Sequence, residues 1–204
     1  MAGATVARTR DPDVDRRIHE ATVALLTRDG LAGLAIGEVA SVAGVGKAAI
    51  YRRYRSKEDL VAGAVAAVLP LSQPPTDLVG APALAAIVED LRRALLESGG
   101  LRLLATLLVE ETRHGELLEL WRRRVVAPRV RVIGRVLAGT GQTVRLDPRM
   151  IGELALGGLV ARRIARGAVP RSASDELARA LWRLAIGDPT TTDPMEDESW
   201  EDQS

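Results

Sequence analysis

Apolar residues recur at helical spacing along almost the whole chain, and no stretch alternates between apolar and polar residues as a strand would. In the first helical segment Ile18, Ala21 and Leu25 follow one another at three- and four-residue intervals, until Asp29-Gly30 ends the pattern. A chain with this period throughout buries its apolar residues by packing helices on helices. We therefore predict an all-α fold of about nine helices.

Composition and proline content divide the chain into segments. One short stretch holds four prolines and predicts a connector, and the C-terminal end is strongly acidic. The expected segments are a flexible arm (1–10), a small helical unit (11–69), the proline-rich connector (70–82), a larger helical domain (83–187) and an acidic disordered tail (188–204).

Cap signals and the helical period set the expected helix boundaries. Ser56 with Asp59 three residues later is a capping box, which begins the fourth helix. Pro128 falls inside a long helical segment, where a kink is expected because proline lacks a backbone donor and clashes with the preceding turn. After the first helix, the others are predicted over residues 37–43, 47–54, 82–97, 101–113, 116–137, 148–166 and 174–186.

Cysteine and histidine content restricts the chemistry. With no cysteine the chain has no disulfide, thiolate metal site or catalytic thiol, and its two histidines, His19 and His114, are far apart in sequence. We therefore expect no catalytic residue, metal site or cofactor.

The first ten residues lack the apolar core of a signal peptide, and no apolar run approaches the roughly 20 residues of a membrane helix. A cytoplasmic protein without a membrane partner is expected.

Residues 36–55, "IGEVASVAGVGKAAIYRRYR", fit a helix-turn-helix. Ala40 is small enough to let two helices pack closely, and Gly44 tolerates the positive φ that the turn between them needs. Val45 and Ile50 lie where apolar contacts between the two helices should fall. In such a unit the second helix enters the major groove of DNA.

The second of these helices is basic. From Lys47 to Lys57 there are five basic residues and no acid, and both tyrosines of a chain without phenylalanine lie here. Arginine binds guanine with two hydrogen bonds, whereas lysine and tyrosine hydroxyls suit phosphate oxygens. A solvated basic face whose tyrosines cap a small core remains the alternative. The candidate DNA-contact residues are Lys47, Ala48, Ala49, Tyr51, Arg52, Arg53, Tyr54 and Lys57.

Residues 34–61, "LAIGEVASVAGVGKAAIYRRYRSKEDLV", resemble the tetracycline-repressor-like (TetR) family of bacterial transcriptional regulators. The shared features are "VA..AGV", a Gly-Lys pair, "IYRR" with an aromatic residue, and "SKE.L". The resemblance implies that Lys47 opens the recognition helix, that Tyr51 and Lys57 hold phosphates, and that Arg52 and Arg53 reach bases or nearby phosphates. It also implies an N-terminal three-helix DNA-binding domain and a C-terminal ligand-binding and dimerisation domain.

Two residues depart from the family pattern. Ala35 stands where a threonine usually caps the second helix, and Ala49 stands where a base-contacting threonine is frequent. Both changes remove a hydroxyl, so specificity should depend more on the arginines and on apolar contacts of Ala48 and Ala49 with thymine methyl groups. Gly37 should also weaken the second helix.

A dimer is expected, because helix-turn-helix proteins read paired half-sites, usually of a palindromic double-stranded operator. The last two predicted helices carry small residues and an apolar stripe, which suits an intersubunit four-helix bundle. The alternative is that both helices pack only within one subunit. The candidate interface residues are Gly157, Gly158, Leu177, Leu181, Trp182 and Leu184.

A small-molecule effector would occupy a mainly apolar pocket among the middle helices. The alternative is that the leucines among the candidates pack in the core and that the polar candidates lie at the surface. The candidate pocket residues are Leu104, Leu107, Leu108, Glu111, His114, Trp121 and Arg162.

Seven arginines lie between Arg113 and Arg135, against two glutamates. Helical spacing spreads them around a helix, and we expect an exposed face whose long side chains cover apolar neighbours. Binding of an anionic ligand, a membrane surface or further DNA stays open.

These features together predict a dimeric repressor that an effector releases from its operator. The alternatives are an adaptor or non-specific DNA-binding protein without an effector, and an enzyme built on a helical bundle. The enzyme is disfavoured because His114 with Glu110 or Glu111 is the only cluster available to it.

Overall fold

The computed structural model describes residues 11–74 and 77–186, and within these ranges every regular element is a helix, in agreement with the predicted fold class. The predicted arm (1–10) and acidic tail (188–204) lie outside the described residues. The helices are α1 (Pro12–Gly33), α2 (Ile36–Ala43), α3 (Lys47–Tyr51), α4 (Lys57–Val68), α5 (Gly80–Leu96), α6 (Gly100–Glu110), α7 (Gly115–Trp121), α8 (Ala127–Ala138), α9 (Pro148–Arg166) and α10 (Arg171–Ile186).

The N-terminal unit consists of α1–α4, with α1 packed against both α2 and α4. Asp11 caps α1, because its carboxylate accepts a hydrogen bond from the Asp13 backbone N–H at 3.0 Å. Helix α1 is interrupted at Gly30, whose φ of 68° is outside the helical region, so the predicted stop at Asp29-Gly30 appears as a break before one further turn. Ser56 caps α4, with the Asp59 N–H donating to Ser56 Oγ, while Asp59 Oδ2 accepts from the Arg55 N–H at 3.0 Å.

The C-terminal domain consists of α5–α10, in which α5 packs along α10 and α8 along α9. A π turn, Arg122–Val126, joins α7 to α8, so that residues 115–138 form one continuous helical rod. The Ala127 N–H donates to Arg122 O, five residues earlier, immediately before Pro128. Because proline has no backbone N–H, the carbonyl one turn before Pro128 lacks its usual hydrogen-bond donor. The wider π turn accommodates this missing hydrogen bond.

The predicted start of the last helix needs correction. Helix α10 begins at Arg171 rather than at Ser174, and the Ala173 N–H donates to Pro170 O in its first turn. Ser174 is fully buried inside the helix and donates its hydroxyl to Glu89 Oε2 on α5 at 2.8 Å. The serine ties two helices together and does not cap one.

None of the helices in residues 11–74 and 77–186 is both long enough and apolar enough to cross a bilayer.

Candidate functional site

The turn between α2 and α3 has the geometry of a helix-turn-helix. Gly44 ends α2 in the left-handed region, with φ 63° and ψ 39°, a conformation that costs little only for glycine. The Val45 N–H then donates to Ala40 O at 2.9 Å and closes the helix end. Ala40 is buried between the helices and Ile50 is completely buried, so the two short helices share the apolar core of α1 and α4.

One side of α3 faces solvent and carries the predicted contact residues. Lys47, Ala48, Tyr51 and Arg52 are exposed, and their spacing of one and four residues places them on one helical face. Tyr51 is 61% exposed, although it is one of only two tyrosines in the chain. Ala49 is half-buried at the edge of this face. The side chain of Lys47 lies across Gly37, where an added Cβ would come within 2.8 Å of Lys47 Cε.

Arg53 does not share this exposed face. Its Nε donates to Asp15 Oδ1 of α1 at 2.5 Å and its Nη1 to Ala49 O, and the side chain is only 13% exposed. Without DNA, Arg53 is therefore held against α1 and away from the exposed face, and the expectation that Arg52 and Arg53 reach bases or nearby phosphates stays a prediction. An ion pair shielded from solvent fixes α3 on α1, whereas the neighbouring Arg52 remains exposed.

Lys57 and Tyr54 also have intramolecular partners. Lys57 Nζ donates to the carbonyls of Leu31 and Leu34, at 2.7 and 3.2 Å, and so ties the start of α4 to the segment between α1 and α2. Tyr54 lies between α1 and α4, next to Gly63, with its hydroxyl 2.6 Å from His19 Nε2 and the two rings edge to face. Burial lowers the pKa of His19, because the charged imidazolium is poorly solvated there.

The missing hydroxyl at position 35 has a visible consequence. Ala35 occupies the N-cap of α2 in an extended conformation, and no side chain there accepts a hydrogen bond from the first turn. A serine or threonine at an N-cap supplies this acceptor.

A cavity of about 310 Å³ lies in the C-terminal domain between α5, α7, the π turn, α8 and α9. Its walls are mainly aliphatic, and its polar lining residues are Arg122, Arg129, Arg149 and Glu153. Of the predicted pocket residues, only Trp121 lines it. Its apolar lining includes Ile87, Val88, Leu91, Val125, Ile133 and Leu156.

The structure distributes the other predicted pocket residues elsewhere. Leu104 and Leu107 are buried in the core, whereas Leu108 is 53% exposed. His114 precedes α7, 3.2 Å from Glu116. The last two residues are at the surface, Glu111 beside Arg122 at 3.9 Å and Arg162 bound to Glu176 at 2.9 Å.

The prediction missed Arg129 and Asp90, which form a buried ion pair beside the cavity, with Arg129 Nη2 3.0 Å from Asp90 Oδ2. Arg129 belongs to the arginine run that was expected to be exposed. Burial lowers the pKa of Arg129, and only the Asp90 carboxylate opposes this shift. The sequence signal was present in the adjacent Pro128, since the π turn before it changes which face of the rod each later residue occupies.

Not all of the predicted interface residues are available to a second subunit. Leu181 is buried within the chain, and Trp182 lies against Gly80 at the start of α5. Gly158 faces Leu177 of α10, which an added Cβ would approach to 3.0 Å. Gly157 and Leu184 remain open to solvent.

An apolar stripe on α9 is left uncovered in the single chain. Met150, Leu154, Gly157, Ala161 and Ile164 are all exposed, and Ile164 is 80% exposed. Their alternating spacing of four and three residues is that of an interhelical seam. The sequence contained this signal, but only the fold shows which face of α9 the chain itself leaves open.

No three His, Asp or Glu residues within 11–74 and 77–186 are grouped so that they could hold a metal ion.

Comparison with known proteins identifies the N-terminal unit. Residues 18–64 match the family model described as "Bacterial regulatory proteins, tetR family". No curated protein sequence matches the chain significantly.

Solved structures share the fold over most of the chain. A transcriptional regulator from Pseudomonas aeruginosa PAO1 is 23% identical, with a TM-score of 0.62 over 86% of this chain and 92% of its own. The flavonoid-responsive regulator FrrA is 19% identical, with a TM-score of 0.61 over 84% of this chain and 94% of its own. The regulator FadR from Bacillus subtilis, solved with stearoyl-CoA, is 14% identical, with a TM-score of 0.57 over 83% of this chain and 98% of its own. Residues 18–64 are therefore similar to the tetR family of bacterial regulatory proteins, and the solved structures share the fold of most of the chain.

Proposed function

We propose that this DNA-binding regulator is a dimeric, sequence-specific repressor that a small-molecule effector releases from a palindromic operator. The main support for this proposal is the exposed face of α3, where Lys47, Tyr51 and Arg52 project beside the Gly44 turn with no acidic residue between them. A helix presented in this way enters the major groove with its side chains against base edges and phosphates. Such a protein acts where the DNA is, which in a bacterium is the cytoplasm.

The uncovered stripe on α9 supports a homodimer. A second copy of the same helix is the natural partner, because an isologous contact pairs a surface with itself across a two-fold axis. Gly157 at the centre of the stripe lets two backbones approach, while Leu154 and Ile164 supply apolar area on either side. Leu184 on α10 is also exposed. We expect the dimer to use α9 chiefly, with Leu184 available to the same partner.

The cavity supports an effector. FrrA is described as flavonoid-responsive, and FadR was solved with stearoyl-CoA, so two proteins of this fold respond to or hold organic molecules. In this chain α4 contacts both the π turn that lines the cavity and α1. A ligand that prefers one arrangement of the π turn would shift α4 and the reading helices with it.

Genome-fragment selection with the purified full-length protein, followed by binding at several salt concentrations with random-DNA competitor, tests the proposal. We expect an enriched palindrome that resists competitor, and loss of that preference in an Arg52→Ala variant. If no site is enriched and random-DNA competitor abolishes binding of the protein to the fragments, the non-specific or adaptor protein is favoured instead, since electrostatic binding alone is not selective.

The dimer is tested separately by sedimentation. An Ile164→Arg substitution places a charge on the α9 stripe and should give monomers, whereas Arg179→Glu, on the exposed side of α10, should leave the dimer intact. Dimers in both variants would exclude the α9 interface.

A further inference from the structure

The cavity has an apolar body and one buried polar wall. Ile87 and Leu91 of α5, Val125 of the π turn, Ile133 of α8 and Leu156 of α9 form the body. At about 310 Å³, the cavity is at the lower end of the range of known small-molecule sites. The shape therefore suits a compact aliphatic molecule.

Arg129 forms the polar wall and uses two of its three guanidinium nitrogens. Its Nη1 donates to Val125 O at 3.2 Å, and its Nη2 to Asp90 Oδ2 at 3.0 Å and to Pro70 O at 3.2 Å. Its Nε is buried and has no hydrogen-bond partner within the part of the chain that the structure describes. The residue is only 5% exposed, so an unsatisfied donor is unfavourable there and a ligand acceptor would remove the penalty.

The charge around this wall is positive. Asp90 is shared by Arg129 at 3.0 Å and Arg93 at 3.7 Å, so two cations face one carboxylate. Among the lining residues, Arg122 and Arg149 outnumber Glu153, and Arg122 also has Glu119 and Glu111 at 3.6 and 3.9 Å. A ligand that brings one negative charge would balance the wall, whereas a cation would meet repulsion.

Other arginines of the chain show how a carboxylate would bind. Arg28 holds Asp29, and Arg92 holds Glu89, each with the pair Nε and Nη2 on the two oxygens of one carboxylate. We propose that the cavity binds a compact aliphatic carboxylate, whose two oxygens accept hydrogen bonds from Nε and Nη2 of Arg129. In forming this bidentate contact, Nη2 gives up its hydrogen bond to Pro70 O. The bidentate fork is the strong geometry of this pair.

The lost contact connects the cavity to the DNA-binding unit. Pro70 lies two residues beyond the end of α4, and the Ser72 N–H donates to Asp90 Oδ1 at 3.2 Å, so the Arg129–Asp90 pair holds the chain just after it leaves α4. Withdrawal of Nη2 would release this end of α4, which packs on α1. This part of the inference rests on the proposed function, whereas carboxylate binding does not.

Calorimetry with the full-length protein tests the site, using octanoate as the probe and octanol as its uncharged match. We expect octanoate to bind and to change the fluorescence of Trp121, which lines the cavity, and octanol to bind more weakly. Arg129→Lys keeps a cation beside Asp90 but cannot hold a carboxylate with two hydrogen bonds. It should lower the affinity for octanoate roughly tenfold to a hundredfold, with little change in the affinity for octanol. Arg179→Lys, an exposed substitution on α10, should change neither affinity.

A second variant keeps the test decisive if Arg129→Lys folds poorly. Gly152 lines the cavity, and a Cβ there would make only ordinary contacts with Val130 and Ile133, so Gly152→Leu should fold and fill the cavity. Octanoate affinity should then be abolished. Unchanged octanoate affinity in Gly152→Leu, or equal affinity for octanoate and octanol, would overturn the carboxylate site.

Hydrogen exchange and operator binding test the coupling. Octanoate should increase amide exchange at Ser72 and weaken operator affinity in the wild type, but not in Gly152→Leu. Octanoate binding without either change would overturn the coupling and leave the carboxylate site standing. Operator binding without any octanoate binding would leave the DNA-binding function standing and reject the site.

Discussion

The N-terminal unit and the C-terminal domain treat buried polar groups differently. Among the described residues, α1–α4 bury one polar residue, Thr22, whose hydroxyl donates to Ile18 O within its own helix. The C-terminal domain buries Asp90, Arg92, Arg129 and Ser174. The DNA-binding unit thus has an apolar core and exposed charges, whereas the larger domain places charges inside. A buried charge is unfavourable unless it is paired, so these charges have defined partners or a defined use.

The two buried arginines differ in the same way. Arg92 is held by Glu89, Glu97 and Val169 O, and hydrogen bonds to Glu89 raise its pKa. Arg129 has one carboxylate partner and an unused Nε, and burial lowers its pKa. The first is a structural clamp between α5 and the segment before α10, and the second is available to a ligand. Incomplete pairing within the described part of the chain therefore distinguishes Arg129 from Arg92.

The largest effect is expected from breaking the clamp. Arg92→Met leaves Glu89 without its cation and should lower the free energy of unfolding by about 3–5 kcal/mol, as for other buried pairs that lose one partner. Urea unfolding measures it. Arg179→Met, an exposed substitution on α10, is the control and should change stability by less than about 0.5 kcal/mol. Similar losses in both variants would mean that burial of Arg92 is not decisive.

The adjacent arginines after α3 should separate DNA binding from stability. Arg52→Ala should cost about 1–3 kcal/mol of operator affinity with an unchanged melting temperature, because the side chain is exposed. Arg53→Ala removes the ion pair with Asp15 and should lower stability by roughly 1–3 kcal/mol. Operator titration and thermal melting distinguish the two. Equal affinity losses without destabilisation would show that Arg53 leaves Asp15 to contact DNA.

Acid should weaken the clamp. Hydrogen bonds from Arg92 and Ser174 lower the pKa of Glu89, so the folded state releases its proton more readily than the unfolded chain. This contribution to stability is present above the unfolded pKa, about 4.3, and is lost as the pH falls through the folded pKa. The stability difference between wild type and Glu89→Gln should therefore be largest near neutral pH and shrink below about pH 4. A constant difference would exclude this linkage.

The smallest effect is expected from restoring a cap. Ala35→Thr supplies an acceptor for the first turn of α2 and should raise the free energy of unfolding by about 0.5–1 kcal/mol. Ala35→Val has the same shape without the hydroxyl and is the matched control. A gain with valine as large as with threonine would attribute the effect to packing instead of to the cap.

Local signals predicted the helices well because their causes are local. The Ser56 cap, the left-handed Gly44 and the break at Gly30 each depend on residues within one turn, and the structure contains all three. The helix-turn-helix was predictable for the same reason, since its spacing lies within twenty consecutive residues.

Partners distant in sequence were beyond the sequence alone. Arg52 and Arg53 are identical residues in adjacent positions, yet Asp15, 38 residues away, binds only one of them. Asp90 and Arg129 are 39 residues apart, and Gly157 differs from Gly158 only in which side of α9 meets α10. Helical periodicity shows which residues share a face, but not which face is covered.

The sequence by itself determined the all-α class, the helix boundaries to within a few residues and the DNA-binding motif, because these depend on interactions along one segment. The tertiary structure decided which charges are buried, where the cavity lies and which stripe on α9 stays open. Each of these depends on how helices far apart in the chain pack against each other. Whether a residue is buried is decided by that packing rather than by the identity of the residue.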